Sequence, residues 1–194
     1  MINTQAFISA LKFAAHAAAT HDVRYYLKTV RFEFSIDKLV LVGCDGARLA
    51  TITLPGPYNL EGNFLVAIES VKHILTMFGK DKKGEITFAL LDNKLSLSNA
   101  FGVTYTPTLS DGVYPDWRRV VPSMSRPNTT FPQIDPNLLA ESCKAIAPLC
   151  QKIKGTPSIV TNAAGESYAI AIRPKFTADV HHAYPVAVIQ PTRV

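Results

Sequence analysis

Few side chains in this sequence have the type and spacing that catalysis or metal binding requires. Asp45 and Arg48 stand close together in CDGARLA, but an Asp-Gly turn with an arginine anchored beside it explains that pattern better than a catalytic pair. His181 and His182 have only Asp179 nearby, and adjacent residues of a strand point to opposite faces, so we expect no metal site there. The motifs G-x-S-x-G, HExxH and CxxC and the common glycine-rich phosphate loops are absent. We therefore predict a protein that is not an enzyme and that uses no metal or cofactor.

The composition predicts a folded protein of a reducing compartment. The chain has 194 residues, of which 47% are hydrophobic and 18% charged, and this is enough to bury a core. Cys44, Cys143 and Cys150 form neither an even disulfide set nor a close metal pair, so we expect free thiols in a cytoplasmic protein. No apolar run is long enough to cross a membrane, and the first residues are typical of a folded helix rather than a signal peptide. The net charge of +5 permits an acidic partner such as nucleic acid.

A helix followed by short strands recurs three times along the chain. Apolar stripes predict helices over residues 4–19 and 70–78, and Asp135 followed by Pro136 predicts the start of a third. Runs rich in Val, Ile, Thr, Phe and Tyr predict strands, and residues 91–94 predict a tight hairpin turn. This order predicts an α+β fold. The predicted strands cover residues 28–35, 38–45, 48–54, 85–91, 94–100, 103–109, 157–163, 167–172 and 184–191.

The chain is expected to divide into two domains. Turn residues at 111–116 and a stretch rich in Pro and Ser at 122–132 predict a linker between them. The first domain, residues 1–115, contains two helix-plus-strand units, and the second, residues 116–194, contains one.

Each predicted helix carries one lysine near the middle of its polar face. These residues are Lys12, Lys72 and Lys144. One interpretation is an ordinary solvated surface. The other is a contact with a phosphate backbone, where lysine adds affinity without reading the bases. The helix faces leave both interpretations open.

Four segments of the sequence together resemble the bacterial sliding clamps, the beta subunit of the replicative DNA polymerase III. They are DVRYYL (22–27), CDGARLA (44–50), DGVYPDWRRVVP (111–122) and the terminal PTRV. Over residues 1–122 their order and spacing are similar to the middle domain and linker of that family, and the rest of the chain resembles about half of its last domain. The resemblance implies a DNA-clamp-like fold of repeated helix-plus-antiparallel-strand units, with one full and one shortened domain.

The resemblance implies a peptide-binding groove between the two domains. An apolar groove flanked by arginine suits a short peptide with apolar anchors and an acidic or carbonyl contact. This sequence has Ala47 where the family has histidine, and Gln190 and Thr192 where it has methionines, so we expect a narrower or altered set of partners. The alternative is that the apolar members only fill an interface between domains. The matching positions are Leu27, Cys44, Gly46, Ala47, Arg48, Leu49, Pro115, Arg119, Val120, Val188, Ile189, Gln190, Pro191, Thr192, Arg193 and Val194.

The resemblance also implies contacts with DNA. In the family, the segment that matches His21, Arg24, Tyr25 and Tyr26 lies on the side that faces DNA. A tyrosine pair beside an arginine can stack on a nucleic-acid strand or hydrogen-bond to it. The alternative is that these aromatic rings pack on the first helix. Together with the three helix lysines, these residues make up the predicted DNA-binding set.

The function that follows is a DNA sliding clamp or clamp-like processivity factor. It would hold DNA polymerase or other replication proteins on double-stranded DNA without sequence preference, and a clamp loader is a further implied partner. A homo-oligomer is expected, because three units per chain do not close the family's ring without further copies. The alternative is a clamp-derived adaptor or decoy that does not encircle DNA and binds clamp-partner peptides or a clamp loader.

Overall fold

The computed structural model describes residues 1–81, 83–121, 133–150, 152–153, 156–157, 159–163, 169–174 and 185–190. Within these residues the α-helices are α1 Thr4–Ala15, α2 Ile68–Phe78 and α3 Pro136–Ile146. Short 3-10 helices cover Tyr25–Lys28, Trp117–Val120 and Ala147–Leu149. The helices and the antiparallel strands confirm the predicted α+β class. The strands are β1 Ile2–Asn3, β2 Thr29–Ser35, β3 Lys38–Cys44, β4 Arg48–Pro55, β5 Gly62–Ala67, β6 Glu85–Leu91, β7 Lys94–Asn99, β8 Thr104–Tyr105, β9 Lys152–Ile153, β10 Thr156–Pro157, β11 Ile159–Ala163, β12 Ile170–Pro174 and β13 Val186–Ile189.

Side-chain caps fix where two of the helices begin. Asn3 Oδ1 accepts a hydrogen bond from the backbone N–H of Ala6 at 3.1 Å, which satisfies a free donor in the first turn of α1. Asp135 Oδ1 accepts from the N–H of Asn137 at 2.8 Å, and Pro136 occupies the first helical position. The predicted start of α3 is therefore confirmed.

Helix α1 is shorter than predicted. The N–H groups of Ala17 and Ala18 bond to the carbonyls of Ala14 and Ala15, three residues back, at 3.3 and 3.1 Å. Such bonds tighten and end an α-helix. The chain then turns into the segment that leads to the 3-10 helix at residues 25–28.

The strands form two main sheets. One has seven strands in the order β11-β12-β13-β4-β3-β2-β5, and the other has four in the order β1-β6-β7-β8. β13 pairs with β4 so that Val188 lies opposite Leu49 and Ile189 lies opposite Arg48. The larger sheet therefore contains strands from both sides of residue 115, and the division into domains at that residue stays a prediction. The sequence pattern does not predict β5, because the apolar residues of GNFLVA are consecutive rather than alternating.

The two faces of the seven-stranded sheet carry separate apolar clusters. α1, α2 and α3 pack on one face, which we call the helix face, and Leu39 and Leu41 of β3 point toward them. Because side chains alternate along a strand, the intervening residues of β3 point to the opposite face, which we call the outer face. The candidate site lies on this outer face. Its buried cluster consists of Val40, Val42, Leu49, Leu65, Tyr114, Ala169 and Val188.

The turn between β6 and β7 confirms the predicted hairpin. Asp92 and Asn93 have positive φ angles of 50° and 58°, and Leu91 pairs with Lys94 across the turn. Positive φ at both central residues is the geometry that favours Asp and Asn in a two-residue hairpin loop.

None of the helices in the described ranges is long and apolar enough to cross a membrane. The longest of them, α1, has 12 residues.

Candidate functional site

A cavity of about 230 Å³ opens on the outer face, where segments that are distant in the sequence meet. We call it the junction cavity. Its walls come from the 3-10 helix at residues 25–28, the turn between β3 and β4, the segment 114–120 and the end of β13. The lining residues are Arg24, Tyr26, Leu27, Cys44, Gly46, Arg48, Leu49, Tyr114, Pro115, Asp116, Trp117, Val120, Val188 and Gln190.

The structure brings most of the predicted groove residues together in this cavity. The predicted residues that line it are Leu27, Cys44, Gly46, Arg48, Leu49, Pro115, Val120, Val188 and Gln190. Those that do not line it are Ala47, Arg119 and Ile189. Those that lie outside the described residues are Pro191, Thr192, Arg193 and Val194.

The three exceptions have local reasons. Ile189 follows Val188 on β13, so its side chain points to the helix face, where it is completely buried. Ala47 is exposed, and it contributes its carbonyl, which accepts the backbone N–H of Gln190 at 2.8 Å. Arg119 is exposed on the 3-10 helix between residues 117 and 120. Ile189 and Ala47 thus support the cavity from behind, through packing and backbone contact.

The turn between β3 and β4 is built around Asp45. Its Oδ1 accepts hydrogen bonds from the backbone N–H groups of Ala47 and Arg48, both at 2.9 Å, and its Oδ2 accepts from Arg48 Nε at 2.9 Å. Gly46 has a φ of 94°, which an L side chain rarely adopts. The predicted structural role of Asp45 and Arg48 is confirmed, and the turn holds one wall of the cavity in place.

The two arginines of the cavity differ in how accessible they are. The Arg48 side chain is only 16% exposed and pairs with two carboxylates, Asp45 and Glu141 of α3. The Arg24 side chain is 49% exposed and donates to Asp22 from Nε at 3.0 Å and from Nη2 at 2.8 Å. The hydrogen bonds from Arg24 lower the pKa of Asp22 to about 2. Arg48 thus ties the turn to α3, and Arg24 is the cation that a ligand reaches more easily.

Residues 114–121, which we call the strap, cross the outer face and form a third wall. Tyr114 is 5% exposed, and its hydroxyl donates to the carbonyl of Val42 at 3.3 Å. Burial raises the pKa of Tyr114 well above its usual value, so the hydroxyl stays protonated. Trp117 and Val120 follow along the strap and also line the cavity. The strap therefore packs on the apolar cluster of the outer face and forms one wall of the cavity.

Several lining residues go beyond the predicted groove. Arg24 and Tyr26, which the resemblance assigns to the DNA side, lie in the cavity wall, and Tyr26 packs against the outer-face cluster. Tyr114, Asp116 and Trp117 are additional lining residues. They belong to the segment DGVYPDWRRVVP and are neighbours in sequence of Pro115, which the resemblance assigns to the groove. Their place in this motif is the sequence feature from which they could be predicted.

The three helix lysines lie on α1, α2 and α3, and each is exposed. They are Lys12, Lys72 and Lys144. All three helices pack on the same face of the seven-stranded sheet. Lys72 Nζ pairs with Glu69 at 2.8 Å, so part of its charge is balanced within α2.

The remaining members of the predicted DNA-binding set lie in the segment before β2. His21 is exposed, and Tyr25 is 53% exposed. The Tyr25 ring contacts the Tyr26 ring edge to face at 5.9 Å, and it lies 3.2 Å from where a Cβ on Gly112 would be. Tyr25 thus packs against the chain just before the strap and still presents half of its surface.

The His and Cys residues in the part of the chain that the structure describes do not form a metal site. No group of three or more His, Cys, Asp or Glu side chains suited to a metal ion occurs in the part of the chain that the structure describes, and His181 and His182 lie outside that part. Cys44, Cys143 and Cys150 are free and half-buried, as expected for small apolar side chains. Burial raises the pKa of all three thiols, which lowers their reactivity.

The free energy of unfolding of the protein is expected to depend on pH through His16. This residue ends α1 beside a second cavity of about 540 Å³, and its Nδ1 donates to the carbonyl of Phe13. Burial lowers the pKa of His16 below 6.5. Because the unfolded chain then binds more protons than the folded one, the free energy of unfolding should fall as the pH drops below about 6.5.

Denaturant unfolding at several pH values checks this expectation. His16→Gln should flatten the pH dependence between the lowered pKa of His16 and 6.5. An unaltered pH dependence in His16→Gln would show that the burial of this ring is not the cause.

The matching family model and the similar proteins concern DNA polymerase III beta subunits. Residues 1–116 match the family model described as DNA polymerase III beta subunit, central domain. The chain is similar to the beta sliding clamp of Pseudomonas putida, at 33% identity over 108 residues, and to that of Proteus mirabilis, at 34% over 106 residues. These alignments cover 55% and 54% of this chain but 29% and 28% of the relatives. In sequence the chain thus spans less than a third of the length of the curated relatives it matches.

Solved structures extend the likeness to the whole chain. The DNA polymerase sliding clamp from Pseudomonas aeruginosa with ligand superposes with a TM-score of 0.79 at 16% identity, over 100% of this chain and 66% of that chain. The sliding clamp from Bartonella birtlesii bound to griselimycin gives a TM-score of 0.73 at 19% identity, over 98% of this chain and 64% of that one. At these identities the likeness concerns the fold, and it confirms the predicted clamp-like architecture.

Proposed function

The chain belongs to the DNA polymerase III beta subunit family, which it matches through the central domain as its motifs predicted, and from this premise we propose that it is a clamp-like processivity factor. It holds DNA polymerase or another replication protein on double-stranded DNA. A short peptide of that partner docks in the junction cavity, with apolar side chains as anchors. Further copies of the chain and a clamp loader belong to the same proposal.

The junction cavity is the observation that supports this proposal. Leu27, Leu49 and Val188 are between 1% and 3% exposed, so they form a fixed apolar floor. Val120 is 39% exposed at the cavity and leaves apolar surface for a ligand to cover. A largely preformed apolar pocket with a few polar groups suits the binding of small ligands and short peptides. Arg24 adds a cation at the wall for an acidic group of the partner.

Binding of griselimycin tests the proposed site. The Bartonella birtlesii sliding clamp is found with griselimycin bound, which makes this compound a direct probe for the present chain. Val120→Asp is expected to weaken binding about tenfold or more, because a carboxylate in an apolar contact must lose water without gaining a partner. Isothermal titration calorimetry on the wild type and the variant measures the difference.

Val113→Asp is the matched control for this substitution. Val113 is 88% exposed and does not line the cavity, so the same change in charge there should leave the affinity unchanged. Equal losses in the two variants would point to a general charge effect, and no binding by the wild type would contradict the proposal.

Contact with DNA is expected to depend on the three helix lysines. Lys12→Glu, Lys72→Glu and Lys144→Glu together should weaken binding of duplex DNA of any sequence. The plot of log affinity against log salt concentration has a negative slope, and its magnitude should decrease by about 3, since each phosphate contact contributes close to one unit. Fluorescence anisotropy at several salt concentrations gives both quantities.

A second triple variant controls for net charge. Lys38, Lys83 and Lys94 are also exposed but lie at turns and strand starts, so replacing them with Glu should lower the affinity less. Equal effects of the two triple variants would contradict the helix-face assignment. If the chain binds griselimycin but does not bind DNA, the proposal of a processivity factor is wrong, and the alternative of an adaptor that does not encircle DNA takes its place.

A further inference from the structure

Three charged side chains form a network on the outer face, beside the junction cavity but not in its lining. Glu33 of β2 pairs with Arg31 of the same strand at 3.1 Å. It also accepts hydrogen bonds from both terminal nitrogens of Arg118 on the strap, one of them at 3.3 Å. Phe32 and Phe34 alternate with these residues and enter the helix-face cluster, so Arg31 and Glu33 point to the strap side of the sheet.

This network contacts the strap at two places that line the cavity. The Arg31 guanidinium lies over the Tyr114 ring, 6.0 Å from its centroid. The Arg118 guanidinium lies over the Trp117 ring at 4.3 Å, within the range of a favourable cation–π contact. Glu33 joins the two arginines, so one carboxylate connects the sheet to both aromatic residues of the strap.

The carboxylate of Glu33 depends on these partners. The side chains of Glu33 and Arg31 are each 19% exposed, whereas that of Arg118 is 53% exposed. Burial by itself raises the pKa of Glu33, but the hydrogen bonds and charge of Arg118 lower it below its usual value. Glu33 is therefore ionised in the folded protein. Because a largely buried carboxylate without a partner is destabilising, the arrangement that keeps both arginines beside Glu33 is favoured.

We propose that Arg31, Glu33 and Arg118 form a latch that holds the strap on the sheet and keeps the junction cavity preformed for its ligand. Glu33 is a positioning residue, because it acts on the ligand only through Trp117 and the strap. The nature of the ligand depends on the proposed function, but the position of the strap can be measured with no ligand present. Preforming a site raises affinity by reducing the ordering that binding requires.

Trp117 reports directly on the latch, since it is the one tryptophan of the chain. Glu33→Gln keeps the size of the side chain and removes its charge. In this variant quenching of the Trp117 emission by acrylamide should increase, because the strap loosens and the ring becomes more accessible. Glu85→Gln, at an exposed position of β6 in the other sheet, should leave the quenching unchanged.

Titration with griselimycin measures the effect on the cavity. Glu33→Gln is expected to bind about three- to tenfold more weakly than the wild type, in line with a partly buried ion-pair network. Arg118→Met keeps an apolar stem over Trp117 and should cause a similar loss. If both residues act as one latch, the double variant binds about as weakly as either single variant. Independent losses that add in free energy would contradict a shared latch.

The quenching and titration experiments separate the two proposals. Unchanged acrylamide quenching in Glu33→Gln, with circular dichroism showing a folded protein, would overturn the latch even if griselimycin bound more weakly. Failure of the wild type to bind griselimycin would overturn the proposed function, and the quenching of Trp117 would then decide the latch by itself.

Discussion

Replacing Gly43 with alanine is expected to lower the free energy of unfolding by about 3 kcal/mol. A methyl group at this position would lie 1.9 Å from the carbonyl oxygen of Ala14 and 3.2 Å from the backbone nitrogen of Ala18. These are backbone atoms at the end of α1 and just after it, so no side-chain rotation relieves the clash. The helix would have to move away from β3, which leads into the turn of Asp45 and Arg48. Urea unfolding followed by circular dichroism measures the loss.

Gly102→Ala is the control, because it introduces backbone strain without a steric clash. Gly102 has a φ of 79°, and a Cβ there would meet nothing within 4 Å. The control should therefore cost only about 1 kcal/mol, from the unfavourable left-handed backbone conformation. If Gly43→Ala were no less stable than Gly102→Ala, the close approach of α1 to β3 would be contradicted.

Truncation of Phe7 is expected to cost about 3–5 kcal/mol, the range for a fully buried phenylalanine replaced by alanine. Phe7 of α1 is 0% exposed. Its ring contacts Phe32 of the seven-stranded sheet at 6.1 Å and Phe88 of the four-stranded sheet at 5.2 Å, both edge to face. Phe7→Ala therefore removes the contact that joins helix and both sheets and leaves a cavity between them. Denaturant unfolding gives the change in the free energy of unfolding.

Phe101→Ala is the control for the loss of a phenyl ring. Phe101 is 79% exposed, so its removal should change the free energy of unfolding by less than about 0.5 kcal/mol. A loss in Phe7→Ala as small as that in Phe101→Ala would contradict the placement of Phe7 at the centre of the core.

Much of the fold can be predicted because its signals are local. Asp135 with Pro136 marks the start of α3, and Asp92 with Asn93 marks a hairpin, since each depends on bonds or φ angles within a few residues. The end of α1 could not be placed from its alanine-rich pattern, because alanine fits both the helix and the tight turn that follows. The pairing of β13 with β4 is a contact between distant parts of the chain, which no local pattern specifies.

The resemblance assigns to a groove nine of the residues that line the junction cavity, and it does so without any information on geometry. The motifs located Leu49 and Val120, but they did not separate Val188, which lines the cavity, from Ile189, which faces the helices. Strand alternation makes that distinction once the strand is known. The partner of Arg48 was also beyond prediction, because Glu141 is far away in the sequence.

The charge distribution changes which residue is expected to recognise an acidic group. From the sequence, Arg48 is part of the groove and available to a ligand. In the structure the Arg48 guanidinium is paired with both Asp45 and Glu141, whereas Arg24 is paired with Asp22 alone and its side chain is about three times as exposed. Arg48 thus stabilises the shape of the cavity, and in the proposed function Arg24 is the arginine that an acidic group of the partner would contact.

The proposed function places ligand binding in the junction cavity. Two-dimensional ¹H–¹⁵N spectra of the labelled full chain, recorded with increasing griselimycin, test it most directly. We expect the largest shifts at Leu27, Leu49, Val188 and the indole N–H of Trp117, with smaller changes on the outward faces of the helices. Largest shifts on α1, α2 or α3, or no shifts at saturating griselimycin, would contradict it.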